Sequence, residues 1–242
     1  MLERLILRTA QRRHLFSILL ASLLVYLFSV LHGQWSDMHR WNKATADASF
    51  LLLTATMAIG PAARLWSPLR RLIPIRREFG IYTFVLALVH TLIIFDGWVE
   101  WSFARLFGFE FHPGLGYFVM LQHGFGLANA IGLVALIYGL VLALTSADRA
   151  VRLLGGATWK FIQSAAYVFW ALVVAHTAYF LYVHFLDFHR ATPEPNPLQA
   201  WFTGLIVLVL ALRISASVLT WRQRRDPVAR RGAAHPRPVV GT

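Results

Sequence analysis

Two histidines lie deep inside apolar runs of this 242-residue chain. His90 stands in FGIYTFVLALVHTLIIF and His176 in AAYVFWALVVAHTAYFLYV. An ionisable side chain at such depth in a membrane is costly, so it normally faces the interior of a helix bundle and finds a partner there. A neutral imidazole can ligate a metal ion, relay a proton or hydrogen-bond to another helix.

The depths of the two histidines can be compared from the sequence. His90 is thirteen residues beyond Arg77 and His176 is sixteen beyond Lys160. At 1.5 Å per residue these separations are about 20 Å and about 24 Å, a difference of at most one helical turn. If both helices run in the same direction from basic anchors, the two imidazoles meet at one level, toward the far side of the membrane.

Two imidazoles at one level on separate helices are suited to clamp the iron of a b-type haem. On ideal helices, small and aromatic residues share the faces of the two histidines and would suit a flat macrocycle. These residues are Thr83, Ala87 and Ile94 beside His90, and Ala165, Phe169, Leu172 and Phe180 beside His176. The alternative is that each histidine only hydrogen-bonds between helices.

The composition limits the other chemistry. The chain has no cysteine, so it cannot supply a disulfide, a thiolate zinc site, an iron-sulfur cluster or the attachment of a c-type haem. It also carries no glycine-rich nucleotide-binding motif. Any metal site must therefore use histidine, carboxylate or methionine, and any nucleotide-dependent donor must be a separate protein.

The elements that must position the histidines are transmembrane helices. Hydrophobic residues make up 57% of the chain and charged residues 14%, which excludes an ordinary soluble domain. Six apolar stretches approach the length of about 20 residues that a membrane span needs. They cover 15–33, 46–66, 79–97, 125–146, 161–185 and 200–220. The predicted fold class is therefore all-α, a six-helix transmembrane bundle over residues 1–220. Gly60 and Pro61 predict a kink or an early stop in the second span.

Basic residues set the predicted orientation. Of 23 lysines and arginines, 18 lie before the first span, in the second and fourth loops, or after the sixth span. The positive-inside rule places these segments and both termini in the cytoplasm. The net charge of +12 thus reflects membrane topology and does not indicate nucleic-acid binding. Residues 221–242 are predicted to be a basic, disordered cytoplasmic tail that rests on anionic membrane lipid.

Two segments of the chain resemble a known family. RREFGIYTFVLALVH (76–90) and WKFIQSAAYVFWALVVAH (159–176) are similar to the ferric reductase-like transmembrane domain family, and the likeness extends over roughly residues 45–190. Within it they most resemble the haem-bearing membrane subunits of periplasmic methionine sulfoxide reductase systems. The resemblance implies a cytochrome b of the bacterial inner membrane, an electron-transfer subunit of an oxidoreductase system. It would take electrons from a cytoplasmic flavin reductase or a quinone and pass them to a periplasmic reductase subunit.

The chain departs from this family at the cytoplasmic side. Two-haem members carry a second histidine earlier on each ligand helix, but Arg76 stands fourteen residues before His90 and Gln163 thirteen before His176. One b haem is therefore expected. Arg76, Arg77 and Lys160 are candidates to pair with a haem propionate or the phosphate of FMN. The alternative for these three residues is a role as membrane-interface anchors.

Several alternatives stay open from the sequence. Six histidines fall on the outer side, and His32, His123 and His184 could form a further metal or haem site or be ordinary interfacial residues. The aromatic third loop, residues 98–126, is expected to be a re-entrant or interfacial element and a docking surface for an electron acceptor. The chain could instead be a membrane ferric or cupric reductase, or a haem-free transporter or scaffold that uses its intramembrane histidines.

Overall fold

A computed structural model describes residues 9–120, 123–184 and 196–225 of the chain. The described part contains six helical segments that are long and apolar enough to cross a membrane, which confirms the predicted helical bundle. The elements are α1 Ala10–Leu31, α2 Asp37–Leu65, a 3₁₀ helix Ser67–Ile75, α3 Arg76–Gly97, α4 Phe103–Leu106, β1 Phe109–His112, β2 Tyr117–Met120, α5 His123–Leu144, α6 Asp148–Leu154, α7 Gly156–Ser164, α8 Ala166–Ala178, a π-helical turn Tyr179–Val183 and α9 Gln199–Arg225.

The bundle has two ends of different character. One end carries the 3₁₀ helix, α6, the start of α7 and the arginines that finish α9, and it is called the basic end. The other end carries α4 and the antiparallel pair of β1 and β2, and it is called the hairpin end. The predicted cytoplasmic side corresponds to the basic end.

Helix α2 is the central element of the bundle. It packs against α1, α3 and α9, while α5 packs chiefly against α8. Ala44 and Ala48 are fully buried one turn apart on α2, followed by buried Leu52. Small residues at this spacing let helices approach closely in a membrane, where van der Waals packing replaces the hydrophobic effect as the driving force. The central position of α2 thus follows from its small residues.

The predicted early stop of α2 is wrong. The helix continues through Gly60 and Pro61 to Leu65, and it begins nine residues before the apolar run, at Asp37. Proline removes one backbone hydrogen bond, and within a bundle neighbouring helices can compensate for that loss. The start lies earlier than predicted because Asp37, Arg40 and Lys43 interrupt the apolar pattern without interrupting the helix.

The third loop forms structure that the sequence did not predict. Its β1 and β2 pair in register from Phe109 opposite Met120 to His112 opposite Tyr117. The turn between them uses Gly116 at φ +72°, a conformation that glycine adopts without a side-chain clash. The loop is fastened to α5, because Asn129 donates a hydrogen bond of 2.8 Å to the carbonyl of Leu106 at the end of α4.

Two ion pairs fix α3 at the basic end. Arg13 of α1 contacts the fully buried Glu78 at 2.8 Å, and Arg77 contacts Asp148 of α6 at 2.6 Å. These pairs set the register of α3, and with it the height at which His90 stands. The last helix extends five residues beyond the predicted boundary at 220, and residues 226–242 of the predicted tail lie outside the described residues.

Candidate functional site

His90 of α3 and His176 of α8 face one another inside the bundle. Their ring centroids are 6.4 Å apart and the ring planes are nearly perpendicular, at 84°. The matched depth that the sequence predicted is therefore confirmed. Both rings lie in the half of the bundle nearer the hairpin end, since α3 ends seven residues beyond His90.

The separation of the rings suits a shared metal ion. With metal–nitrogen bonds of about 2 Å, and ring centres about 1 Å behind each nitrogen, two imidazoles on one ion have centroids about 6 Å apart. The observed 6.4 Å agrees with that distance. Perpendicular ring planes are compatible with a shared metal ion, because each imidazole can rotate independently about a metal–nitrogen bond.

Backbone carbonyls orient both rings. His90 Nδ1 lies 3.2 Å from the carbonyl oxygen of Asn42 on α2, and His176 Nδ1 lies 2.8 Å from that of Ala128 on α5. A carbonyl oxygen only accepts, so each Nδ1 must carry the proton and each Nε2 keeps its lone pair. Metal-ligating histidines commonly have this arrangement, because the outer hydrogen bond sets the tautomer and the ring direction.

Gly132 of α5 makes room for the His176 ring. A Cβ built at Gly132 would stand 2.7 Å from His176 Nδ1 and 2.8 Å from Cε1, closer than real Cβ contacts allow. The ring cannot simply turn aside, since its Nδ1 is bonded to Ala128. Sequence analysis missed Gly132, although the two glycines seven residues apart on α5, Gly132 and Gly139, were a visible signal of a close approach on one helix face.

A cavity of about 220 Å³ lies between the two histidines and extends toward the hairpin end. Its wall is mainly apolar and aromatic. Of the residues that sequence analysis placed beside the histidines, Ala87, Ile94, Phe169 and Phe180 line it, whereas Thr83, Ala165 and Leu172 do not. An apolar cavity with a few convergent polar groups is the usual form of a cofactor site. It is called the histidine cavity below.

Polar groups collect where the histidine cavity meets the hairpin end. His39, Lys43, Asp47, His184 and Asn196 line this region. The Oδ2 atom of Asp47 lies 2.9 Å from Nε2 of the buried His32, which follows the end of α1. The Oδ1 atom of Asp47 lies 3.4 Å from Nδ2 of Asn196. Asp47 was not identified from the sequence, because a single carboxylate at the edge of the predicted span gives no sign of its partner.

The predicted further metal site at the outer side is not assembled in the part of the chain that the structure describes. No group of three or more histidine, aspartate or glutamate side chains is placed there to hold an ion. His32 is paired with Asp47, and His184 packs against the rings of Phe125, Tyr179 and Phe180. The side chain of His123 lies outside the described residues.

The three basic residues predicted at the site lie elsewhere. Arg76 donates from Nε to the carbonyl oxygen of Thr56 at 2.9 Å, Arg77 pairs with Asp148, and Lys160 is exposed on α7. All three stand at the basic end, and none lines the histidine cavity. The structure therefore does not bring them together with His90 and His176.

Nearer the basic end, side chains fill the space between the helices that carry the histidines. A Cβ at Gly139 would lie 3.2 Å from Phe84 and 3.3 Å from Phe169, so these two rings occupy the space between α3, α5 and α8. Gln163 donates to Thr145 Oγ1 at 2.9 Å and to the carbonyl of Leu142 at 3.3 Å. Gln163 thus ties α7 to the end of α5.

Comparison with known proteins gives a consistent result. A family model described as "Ferric reductase like transmembrane component" matches residues 44–174. The protein-methionine-sulfoxide reductase heme-binding subunit MsrQ of Ralstonia nicotianae is 26% identical over 191 residues, 79% of this chain and 76% of its own. MsrQ of Rhodospirillum rubrum is 29% identical over 197 residues, covering 79% and 80%.

A third relative is much longer. The magnetosome protein MamZ of Paramagnetospirillum magneticum is 30% identical over 137 residues, which is 56% of this chain. The match spans only 19% of the length of MamZ. The similarity is thus to one part of that protein.

Proposed function

Because this chain belongs to the ferric reductase-like transmembrane family, we propose that it is the haem-binding membrane subunit of an electron-transfer system. The observation that carries the proposal is the pair of imidazoles, with centroids 6.4 Å apart and both Nδ1 atoms bonded to backbone carbonyls. The MsrQ relatives, whose names describe heme-binding subunits, support the same cofactor.

His90 and His176 would hold the iron of one haem b. The carbonyls of Asn42 and Ala128 hold both rings in the tautomer that presents Nε2 as a ligand, so little reorganisation is needed on binding. Bound haem supplies a one-electron couple at its iron, and the apolar wall of the histidine cavity keeps that couple away from water. Two histidines that only formed hydrogen bonds between helices would not need a cavity between their rings.

The polar region of the cavity would hold the haem propionates. Lys43 and His39 line the cavity at the hairpin end and offer donors to two carboxylates. Arg77 has its own partner in Asp148, and Lys160 stands on an exposed surface, so these two residues fit better as interface anchors. Arg76 donates to the carbonyl of Thr56, away from the histidine cavity.

The proposed orientation puts the basic end in the cytoplasm of a bacterial cell, according to the positive-inside rule. The chain would then accept electrons from a cytoplasmic flavin reductase or a quinol and deliver them at the hairpin end to a periplasmic reductase. The naming of the MsrQ relatives as subunits of a protein-methionine-sulfoxide reductase favours an acceptor of that type. The hairpin end presents exposed Trp101, Phe103 and Phe118, which suit contact with a protein partner.

The test is a reduced-minus-oxidised spectrum of protein purified after expression with ample haem. Wild-type protein is expected to show b-type bands, and His90→Ala or His176→Ala should lose at least nine-tenths of the bound haem, because one imidazole cannot complete the site. The matched control is His14→Ala, since His14 also lies in a membrane helix but contacts Tyr82 at the basic end. Equal haem in all four proteins would refute the proposal and favour a haem-free role for the two histidines.

A further inference from the structure

A buried histidine–aspartate pair lies at the hairpin end of the bundle, beside the histidine cavity. His32 follows the last residue of α1 and is fully buried, and its Nε2 lies 2.9 Å from Oδ2 of Asp47 on α2. Asp47 is only 6% exposed, and its Oδ1 lies 3.4 Å from Nδ2 of Asn196. Since Asp47 lines the histidine cavity, the charge of this pair acts on whatever the cavity holds.

The hydrogen bond to Asp47 decides which nitrogen of His32 is open to a proton. An ionised carboxylate only accepts hydrogen bonds, so Nε2 of His32 carries the proton and Nδ1 keeps its lone pair. This Nδ1 is buried, and it has no hydrogen-bond partner among the residues that the structure describes. By contrast, the Nδ1 atoms of His90 and His176 are bonded to carbonyls. A buried polar atom left without a partner is rare and calls for an explanation.

The balance of charge around the cavity supplies that explanation. With His32 neutral and Asp47 ionised, the pair carries a net negative charge in an interior that screens charge weakly. One-electron reduction in the histidine cavity adds a second negative charge to the same interior. A proton taken up at Nδ1 of His32 converts the pair to imidazolium and carboxylate, which together have no net charge. The electron comes from the donor of the proposed function, the proton comes from water, and reoxidation reverses both steps.

We propose that His32 takes up a proton when an electron enters the histidine cavity and releases that proton when the electron leaves. Its neighbours Gly33 and Gln34 are exposed in the turn between α1 and α2, so the proton is exchanged with the aqueous phase at the hairpin end. The proposal rests on the proposed haem function. It adds that electron transfer by this chain is coupled to proton transfer on one side of the membrane.

Other titratable side chains face the same region and must be separated from His32. They line the cavity and are His39 and Lys43 of α2, His90 of α3, His176 of α8 and His184 after the π-helical turn. The neighbours Asn129 of α5 and Asn196 before α9 are neutral amides. The ligand histidines are bonded at Nδ1 and would be occupied at Nε2, and lysine is ordinarily protonated near neutral pH. His39 and His184 are therefore the alternatives that the experiment must distinguish from His32.

The test is the midpoint potential of the purified, haem-loaded full chain, measured by spectroelectrochemical titration from about pH 5.5 to about 8.5, around the ordinary titration range of histidine. In wild-type protein the equilibrium constant for reduction should fall several-fold per pH unit and at most tenfold, which is about 59 mV for a one-electron couple. His32→Gln should lose most of this slope, because an amide can donate to Asp47 but offers no basic nitrogen. Asp47→Asn should also flatten the slope, and it should raise the potential because it removes a negative charge.

The controls separate proton uptake at His32 from a purely structural role of the pair. His14→Gln is the matched control, since His14 lies against Tyr82 at the basic end, and it should keep the wild-type slope. A pair that only held α1 to α2 would leave the slope unchanged in every variant that binds haem. A wild-type slope in His32→Gln, or a slope lost instead in His39→Gln or His184→Gln, would overturn the proposal.

A second measurement does not depend on how well the His32 variant folds. Proton uptake during electrochemical reduction of wild-type protein is followed near neutral pH with an indicator dye in weak buffer. Uptake of a substantial fraction of a proton per electron is expected, with less in Asp47→Asn, and no uptake by wild type would overturn the proposal. Bound haem with equal slopes in wild type and His32→Gln refutes the proton proposal alone, whereas wild-type protein without b-type bands refutes the proposed function as well.

Discussion

The two halves of the space between α3, α5 and α8 differ in what fills them. Toward the hairpin end, His90 and His176 face each other across an open cavity, and Gly132 leaves room for a ring. Toward the basic end, the rings of Phe84 and Phe169 close the same space against Gly139. The same three helices thus provide one open cavity and one packed core.

The difference shows that the volume of the side chains decides where a helix bundle has room for a cofactor. Both glycines of α5 admit large neighbours, but the neighbour is a hydrogen-bonded imidazole at Gly132 and a pair of phenyl rings at Gly139. Interiors are close-packed, so phenyl rings leave no space for a macrocycle. The presence of Arg76 and Gln163, where the resemblance to two-haem members would place histidines, therefore goes together with a filled interior.

The largest effect is expected from adding volume in the open half. Gly132→Val should remove most of the bound haem, because its side chain would occupy the place of the His176 ring, whose Nδ1 is bonded to Ala128. Haem content per protein is measured by pyridine haemochrome absorbance. Gly204→Val is the control, since a Cβ there has nothing within 4 Å. Full haem loading of Gly132→Val would show that the ring position is not as constrained as the packing indicates.

An intermediate effect is expected from the polar pair beside the open half. His32→Ala removes the nearer of the two partners of the buried Asp47, and leaving a buried polar atom unsatisfied costs about 1–3 kcal/mol. The melting temperature in detergent should fall by several degrees. His112→Ala serves for comparison, because His112 is an exposed residue of β1 and is not part of the buried pair. Equal melting of the two variants would contradict a structural role for the pair.

The smallest effect is expected from restoring histidines in the filled half. The double variant Arg76→His, Gln163→His should still bind one haem per chain, because Phe84 and Phe169 continue to fill the space between the helices. Haem stoichiometry is measured against protein determined by amino-acid analysis. Two haems per chain would contradict the proposed difference between the halves, because the presence of histidine ligands alone would then decide whether haem binds.

Much of the fold could be predicted because the membrane imposes simple rules. Length and hydropathy identified the spans, and helical rise placed His90 and His176 at one level, as their contact confirms. Helix ends were less predictable. The start of α2 at Asp37 was hidden by polar residues, and strands β1 and β2 were missed because eight aromatic-rich residues in a loop carry no strong periodic pattern.

The partners of individual side chains were the least predictable features. Arg76 was assigned with Arg77 and Lys160 as one basic group, but it donates to the Thr56 carbonyl and lies against Gly60 of α2. Asp47 gave no sign of its proximity to the histidine cavity, and the glycines of α5 did not reveal which side chain approaches them, because contacts between helices depend on rotation about each helix axis.

The sequence by itself determined that the chain forms a bundle of membrane helices and that two imidazoles stand at one depth. Both follow from one-dimensional quantities, apolar length and rise per residue. Only the tertiary structure decided that the rings face each other across a cavity, that carbonyls of α2 and α5 orient them, and that phenyl rings fill the other half. These features depend on which helix faces pack together, and helix packing is governed by side-chain shapes on several helices at once.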